Sequence, residues 1–135
     1  MGSNWVECPR DGVMPQYSAR YSVTMNPMGD IAMSRRTWEN MGSPGGFVML
    51  FDKVNSRIGL KPSKHGMRNF YPAISVGVSG GRVVRGHRLT KEFGIKLPMT
   101  IQFQDLDTDD DGLLILDVRT ATISNRARNH YRNRS

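Results

Sequence analysis

Apolar and polar residues follow one another in short blocks that predict a β-rich fold. Residues alternate over Tyr21–Met25 and Ala73–Val78, the period typical of β-strands. A nearly continuous apolar run occupies Phe47–Asp52, and further apolar runs occur at Met99–Phe103 and Leu113–Val118. Runs of four to eight apolar residues bounded by turn residues are typical of buried strands. We therefore expect several short strands, with the last two runs joined as a hairpin.

Two polar segments between these strands carry helix signals. Ser34 is a typical N-cap residue for a helix over Arg35–Met41, and Gly42 follows in the C′ position that favours glycine. His87–Phe93 has a similar composition and is followed by Gly94. The sequence thus predicts two short helices among the strands.

These blocks occur twice in the same order. Segments beginning at Gly29 and Gly81 each give a strand, a helix, a second glycine thirteen positions on, and two further apolar runs. A repeated unit is expected to bury its apolar face against its copy. We therefore predict a mainly β fold with short helices, built from two strand–helix–hairpin repeats at about 22–62 and 73–118, related by a pseudo-two-fold axis.

Domain boundaries follow from the same pattern. Residues 21–118 form the predicted single domain, after an irregular N-terminal arm at 1–20. Residues 119–135 form a basic tail with five arginines and no acidic residue. Too few apolar residues lie in this tail for a core position, so we expect it to be flexible.

Charge is segregated along the chain, whose net charge is +7. Residues 81–97 hold five basic residues against one glutamate. Clustered cations create a directional potential that favours phosphate and nucleic acid. A single cysteine excludes an intrachain disulfide, and no signal sequence or membrane-spanning run is visible, so we expect a cytoplasmic protein without a membrane span.

Catalytic and metal-binding patterns are weak. No nucleophile–histidine or paired-carboxylate arrangement stands out, so we predict neither an enzyme nor a cofactor. Asp107, Asp109 and Asp111 match the first half of a calcium loop, but Val118 stands where the closing glutamate belongs. We interpret this segment as an acidic hairpin turn and keep the three aspartates as a weak metal candidate.

The second repeat resembles the swapped-hairpin unit of AbrB, SpoVT and MraZ proteins. The resemblance is carried by Gly81-Arg-Val-Val84, Leu89 and Phe93-Gly-Ile95, whereas Gly86 stands where the family has a proline. The whole chain is also similar to uncharacterised bacterial tandem-repeat proteins in its Gly42-Ser-Pro44 and Ile58–Pro62 segments.

This resemblance implies a swapped-hairpin β-barrel that binds DNA through arginines near the short helices. Matching positions give Arg82, Arg85 and Arg88 in the second repeat, with Arg35 and Arg36 in the first. Arginine bridges phosphate oxygens or a guanine edge through its planar fork.

Two neighbouring residues of the second repeat, His87 and Lys91, complete the predicted DNA-binding set.

Two functions remain open on this sequence. The first is a small DNA-binding, transcription-regulator-like protein. The second is a protein-interaction or scaffold module of the same fold, whose basic residues have no nucleic-acid role. Two repeats in one chain permit a monomer, whereas exposed strand edges favour a homo-oligomer.

Overall fold

The computed structural model describes residues 21–104, 106–109 and 111–124. These residues form two antiparallel sheets and two short helices, in agreement with the predicted β-rich class. The predicted arm at 1–20 lies outside the described residues, as do the tail beyond Ser124 and four of its arginines.

The chain passes repeatedly between the two sheets. One sheet has six strands in the order β11-β8-β1-β2-β7-β6, and the other has five in the order β5-β3-β4-β10-β9. In chain order the described elements are β1 (Val23–Met25), β2 (Asp30–Met33), α1 (Arg35–Asn40), β3 (Gly46–Asp52), β4 (Arg57–Ser63), β5 (Tyr71–Pro72), β6 (Ile74–Val76), β7 (Gly81–Arg85), α2 (His87–Phe93), β8 (Ile101–Gln102), β9 (Asp107–Thr108), β10 (Leu114–Asp117) and β11 (Thr122–Ile123).

A closed barrel is not found within these ranges. Strands β6 and β11 are the edges of one sheet, and β5 and β9 are the edges of the other. Closure would require the edge strands to pair with one another, and no such ladder joins them among the described residues. The described architecture is therefore a pair of open antiparallel sheets.

The predicted hairpin between Met99–Phe103 and Leu113–Val118 is wrong. β8 pairs with β1 and β11 in the six-stranded sheet, whereas β10 pairs with β4 and β9 in the other. Each apolar run does contain a strand, but its partner comes from a distant part of the sequence. Within the segment predicted as a tail, Thr122–Ile123 forms β11 against β8.

Local capping signals define both helices. The Ser34 side chain accepts a hydrogen bond from the backbone N–H of Thr37 at the start of α1, as predicted. α2 spans His87–Phe93 and ends at Gly94, whose φ of 64° is the left-handed conformation that favours glycine. Both predicted helices are confirmed, with α1 ending one residue early at Asn40.

The hydrophobic core receives residues from both sheets. Fully buried side chains come from β1, β2 and β7 of the six-stranded sheet and from β3, β4 and β10 of the other. Leu89 and Phe103 join this core from α2 and from the chain after β8. Burying a side chain of this size contributes roughly 1.5–3 kcal/mol.

The turn between β3 and β4 is organised by Asp52. Its carboxylate accepts hydrogen bonds from the backbone N–H groups of Val54 and Asn55, both at 3.1 Å. Hydrogen bonds from the Asn55 side chain at 2.8 Å and the Arg57 guanidinium at 2.9 Å lower the pKa of Asp52 well below its usual range. This turn therefore depends on an ionised Asp52.

Candidate nucleic-acid interface

The predicted DNA-binding residues are arranged around one ladder, formed by β2 and β7. Its antiparallel register pairs Asp30 with Arg85 and Met33 with Arg82. α1 begins two residues after β2, and α2 begins two residues after β7. Because the strands run in opposite directions, the helices start at opposite ends of the ladder, separated by roughly 10 Å along it.

Arg82 does not share a surface with Arg85. The two residues are three positions apart on β7, so their side chains leave opposite faces of the sheet. The Arg82 guanidinium lies 3.8 Å from the ring centroid of Trp38 on α1. It also donates hydrogen bonds to the carbonyl oxygens of Gly80 at 2.5 Å and Gly81 at 3.1 Å.

These contacts give Arg82 a structural role. A cation over an indole ring is favourable by about 0.5–2 kcal/mol, depending on solvent access. Trp38 is itself half-buried against the core, and its indole N–H donates to the Pro44 carbonyl at 2.8 Å. Arg82 therefore fixes α1 to β7, and the predicted face of Arg82, Arg85 and Arg88 is divided.

The remaining predicted DNA-binding residues of the second repeat form the α2 cluster, which we define as Arg85, His87, Arg88 and Lys91. All four side chains are exposed. Arg85 lies 3.9 Å from the Asp30 carboxylate across the ladder, and Arg88 lies 3.7 Å from Glu92 one helical turn away. Three-quarters of the Arg88 side chain is accessible to solvent.

The first repeat supplies the α1 cluster, defined as Arg35 and Arg36. Arg35 makes a 2.6 Å ion pair with Glu39 on the helix surface. Arg36 lies 5.0 Å from the ring centroid of Tyr21. Both arginines are exposed in the first turn of α1. The structure thus brings the predicted residues together as two clusters instead of one.

The acidic turn does not form a metal centre in the part of the chain that the structure describes. Asp109 accepts hydrogen bonds from the backbone N–H groups of Asp111 and Leu113, both at 2.9 Å, which closes the turn. Asp107 lies in β9, opposite Ile115. Across residues 21–104, 106–109 and 111–124, no three acidic, histidine or cysteine side chains are close enough to hold an ion.

One group of basic residues was not predicted as a site. Lys61, Lys64 and Arg68 line a groove of about 800 Å³ on the five-stranded sheet. Three basic residues without an acid within eight positions were the available signal. Lys61 lies in β4, which extends to Ser63 through its pairing with β3, and Lys64 and Arg68 follow that strand.

No known protein family, characterised protein or solved structure matches this chain. In the described ranges, α1 and α2 are both too short to cross a membrane.

Proposed function

We propose that the protein binds duplex DNA, as a transcription-regulator-like protein, through the α1 and α2 clusters. The observation that carries this proposal is the register between β2 and β7. Residue 30 corresponds to residue 82, and residue 33 to residue 85, each 52 positions further along the chain. Replacing each residue of the Asp30–Arg85 pair by its counterpart gives the Met33–Arg82 pair, which is also present in the ladder. Every antiparallel ladder has a local two-fold axis, and here the 52-residue spacing of the two repeats places that axis at the middle of the β2–β7 ladder.

The helices follow the same relation. Arg35 corresponds to His87, and Arg36 corresponds to Arg88, at the same 52-residue separation. A second ladder joins the two repeats in the other sheet, where Ile58 pairs with Leu116. The register of the β2–β7 ladder and the spacing of the helices support a two-fold relation between the strand–helix parts of the two repeats, with the exposed arginines Arg36 and Arg88 as a related pair.

Such a pair suits duplex DNA, because the symmetry of a DNA-binding protein is mirrored in the two halves of its site. The ion pairs that these helices already contain oppose phosphate binding only weakly. Exposed helix pairs such as Arg88 with Glu92 are worth about 0.3–0.5 kcal/mol and are screened by salt. Phosphate contact instead releases condensed counterions, which drives binding at low salt.

The proposal is tested by fluorescence anisotropy with a labelled random-sequence duplex at several salt concentrations. Wild-type affinity should fall steeply between about 50 and 200 mM salt. Arg36→Ala/Arg88→Ala should weaken binding at every sequence and reduce the slope of log K against log salt by about two. Lys53→Ala/Arg119→Ala removes the same charge near the β3–β4 turn and serves as the matched control.

The outcomes are distinct. Absence of wild-type binding at low salt would refute DNA binding. If the Arg36→Ala/Arg88→Ala variant and the control variant weaken binding equally, the affinity depends on net charge and not on contacts made by Arg36 and Arg88. Circular dichroism of each variant checks that the fold is retained.

A further inference from the structure

The groove of about 800 Å³ on the five-stranded sheet combines an apolar floor with a group of cations, and we call it the basic groove. Its lining comes from three parts of the chain: residues within 41–45, which follow α1, two residues of β3, and residues within 61–68, which begin in β4. Small-molecule sites typically have volumes of about 300–1,000 Å³. The basic groove is therefore large enough for a ligand of that kind.

Apolar side chains form the floor of the basic groove. Met49 and Phe51 of β3 pack against the core, so Val48 and Leu50, which alternate with them, leave the opposite side of the sheet. Leu50 is 46% exposed. Met67 lies in the chain after β4 and is 60% exposed. Exposed apolar surface within a concave site is available to an apolar part of a ligand.

Three cations surround this floor. Lys61 is directly opposite Val48 in the β3–β4 ladder, so the two side chains leave the same side of the sheet with their Cβ atoms about 5 Å apart. Lys64 and Arg68 follow in the chain after β4. None of these three side chains makes an ion pair or a hydrogen bond with a residue of the described ranges. No aspartate or glutamate of these ranges lines the groove.

Carboxylates elsewhere on this face of the sheet lie outside the groove. Asp52 and Asp117 stand opposite Arg57 in the two neighbouring strands, and Arg57 is about 13 Å along β4 from Lys61. The Arg57 guanidinium also donates to Asp52 at 2.9 Å. Asp107 belongs to β9, the edge strand farthest from β3. An anion that enters the groove therefore meets cations without a competing carboxylate beside them.

We infer that the basic groove binds a long-chain fatty acid in its carboxylate form. The acyl chain lies on the apolar floor around Leu50, and the carboxylate pairs with the cations around Lys61. Contact with the floor removes apolar surface of both the chain and the protein from water. Charge-assisted hydrogen bonds from lysine and arginine then hold the carboxylate at one end.

The two properties of the basic groove together select this class of ligand. An inorganic anion such as phosphate would pair with the cations but leave the apolar floor in water. An uncharged hydrocarbon would cover the floor but remove water from the cations without replacing its hydrogen bonds. A molecule with one anionic end and an apolar chain satisfies both parts of the groove.

Isothermal titration calorimetry with dodecanoate, below its critical micelle concentration, tests the inference. Shortening the chain to decanoate and then to octanoate should weaken binding by up to about fourfold for each methylene removed. Dodecyltrimethylammonium has the same chain length and the opposite charge, so it should bind at least about tenfold more weakly. Dodecanoate should also shift the backbone amide NMR signals of Val48 and Lys61, which locates the site.

A pair of double variants tests the role of charge. Lys61→Gln/Lys64→Gln should weaken dodecanoate binding by about two- to thirtyfold, as expected for the loss of two exposed ion pairs. Lys53→Gln/Lys96→Gln is the matched control, because it removes the same charge at exposed positions outside the groove and should bind dodecanoate like wild type. Circular dichroism of both variants checks that the fold is retained.

A pair of single variants tests the role of the apolar floor. Leu50→Ser should reduce the gain in affinity for each added methylene, because it removes part of the surface on which the chain lies. Val54→Ser makes a similar change at an 80% exposed position in the β3–β4 turn and should leave that gain unchanged.

Several results would overturn the inference. Dodecanoate that fails to bind up to about 1 mM is one, and equal binding of dodecyltrimethylammonium is another. Equal losses in the two double-lysine variants would show an effect of net charge alone. Displacement of dodecanoate by an equal concentration of inorganic phosphate would show an anion site in which the chain has no role.

Other occupants of the groove give different results, and each of them would also overturn the inference. If dodecanoate does not bind and Lys61→Gln/Lys64→Gln weakens duplex DNA binding more than its control does, the groove contacts nucleic acid. If the protein sediments with vesicles of anionic phospholipid but does not bind monomeric dodecanoate, the groove faces a membrane surface. The DNA-binding proposal depends on the α1 and α2 clusters, which do not line the groove, so either proposal can fail alone.

Discussion

Replacing Gly29 by alanine should destabilise the fold far more than the same replacement at Gly42. Both glycines have nearly the same left-handed backbone, with φ of 94° and 90°. They differ in their surroundings. A Cβ at Gly29 would lie 2.6 Å from the carbonyl oxygen of Gly86, whereas a Cβ at Gly42 would have no atom within 4 Å.

The loss of stability in each alanine variant can be estimated separately. A left-handed conformation costs an L-residue about 1–2 kcal/mol, and both variants bear this cost. Overpacking adds roughly 1–3 kcal/mol at Gly29 alone. The carbonyl of Gly86 cannot move away easily, because the Gly86 N–H donates to the Gly29 carbonyl at 2.9 Å and holds the two backbones together. We therefore expect the free energy of unfolding to fall by about 1–2 kcal/mol in Gly42→Ala and by about 2–5 kcal/mol in Gly29→Ala.

Urea unfolding followed by circular dichroism measures both values by linear extrapolation. The comparison needs the same buffer and similar m-values for the two variants. Equal losses at the two positions would show that the backbones of Gly29 and Gly86 are not in close contact. The β2–β7 ladder would then need revision, and the proposed two-fold relation would lose its support.

Two further predictions concern single hydrogen-bonded groups. Thr37 is buried, and its hydroxyl accepts a hydrogen bond from the Ser22 N–H at 3.0 Å, which the Ser34 hydroxyl also accepts at 3.2 Å. Thr37→Val should therefore lower the free energy of unfolding, measured in urea, by about 1 kcal/mol. An unchanged free energy of unfolding would show that Ser34 alone satisfies that N–H. The lowered pKa of Asp52 adds stability above pH about 4 that is lost as pH falls. Asp52→Asn should therefore flatten the fall in melting temperature below pH about 5, and an unchanged acid profile would contradict this role.

Local structure was predictable wherever a short-range signal decides it. Ser34 and Gly94 act through contacts within one turn, so both helices could be located from the sequence. Thr37 aligns with Leu89 in the predicted repeat and is also buried, because its hydroxyl accepts a hydrogen bond from the chain entering β1. The hydrogen bond that satisfies the buried Thr37 hydroxyl comes from Ser22, fifteen positions away, and local sequence patterns do not reveal it.

Strand partners and side-chain directions were harder to predict. The apolar run at Met99–Phe103 is equally compatible with β10 or β1 as its neighbour, and packing of the whole core decides for β1. The same applies to Arg82. Alternation separates Arg82 from Arg85, but only the burial of Val84 and the position of Trp38 show that Arg82 is on the helix-bound side. The residues of the two clusters could therefore be predicted from the sequence, but their division between two surfaces could not.

The exchange of strands between sheets has a consequence for synthesis. β2 pairs with β7, β4 with β10 and β1 with β8, so each sheet depends on residues that the ribosome adds about 50 or more positions later. Topologies dominated by such distant pairings fold slowly, on the order of milliseconds to seconds. The apolar strand β3 is therefore made well before β10 can complete its sheet, and chaperones that bind extended apolar segments have an opportunity to act during that interval.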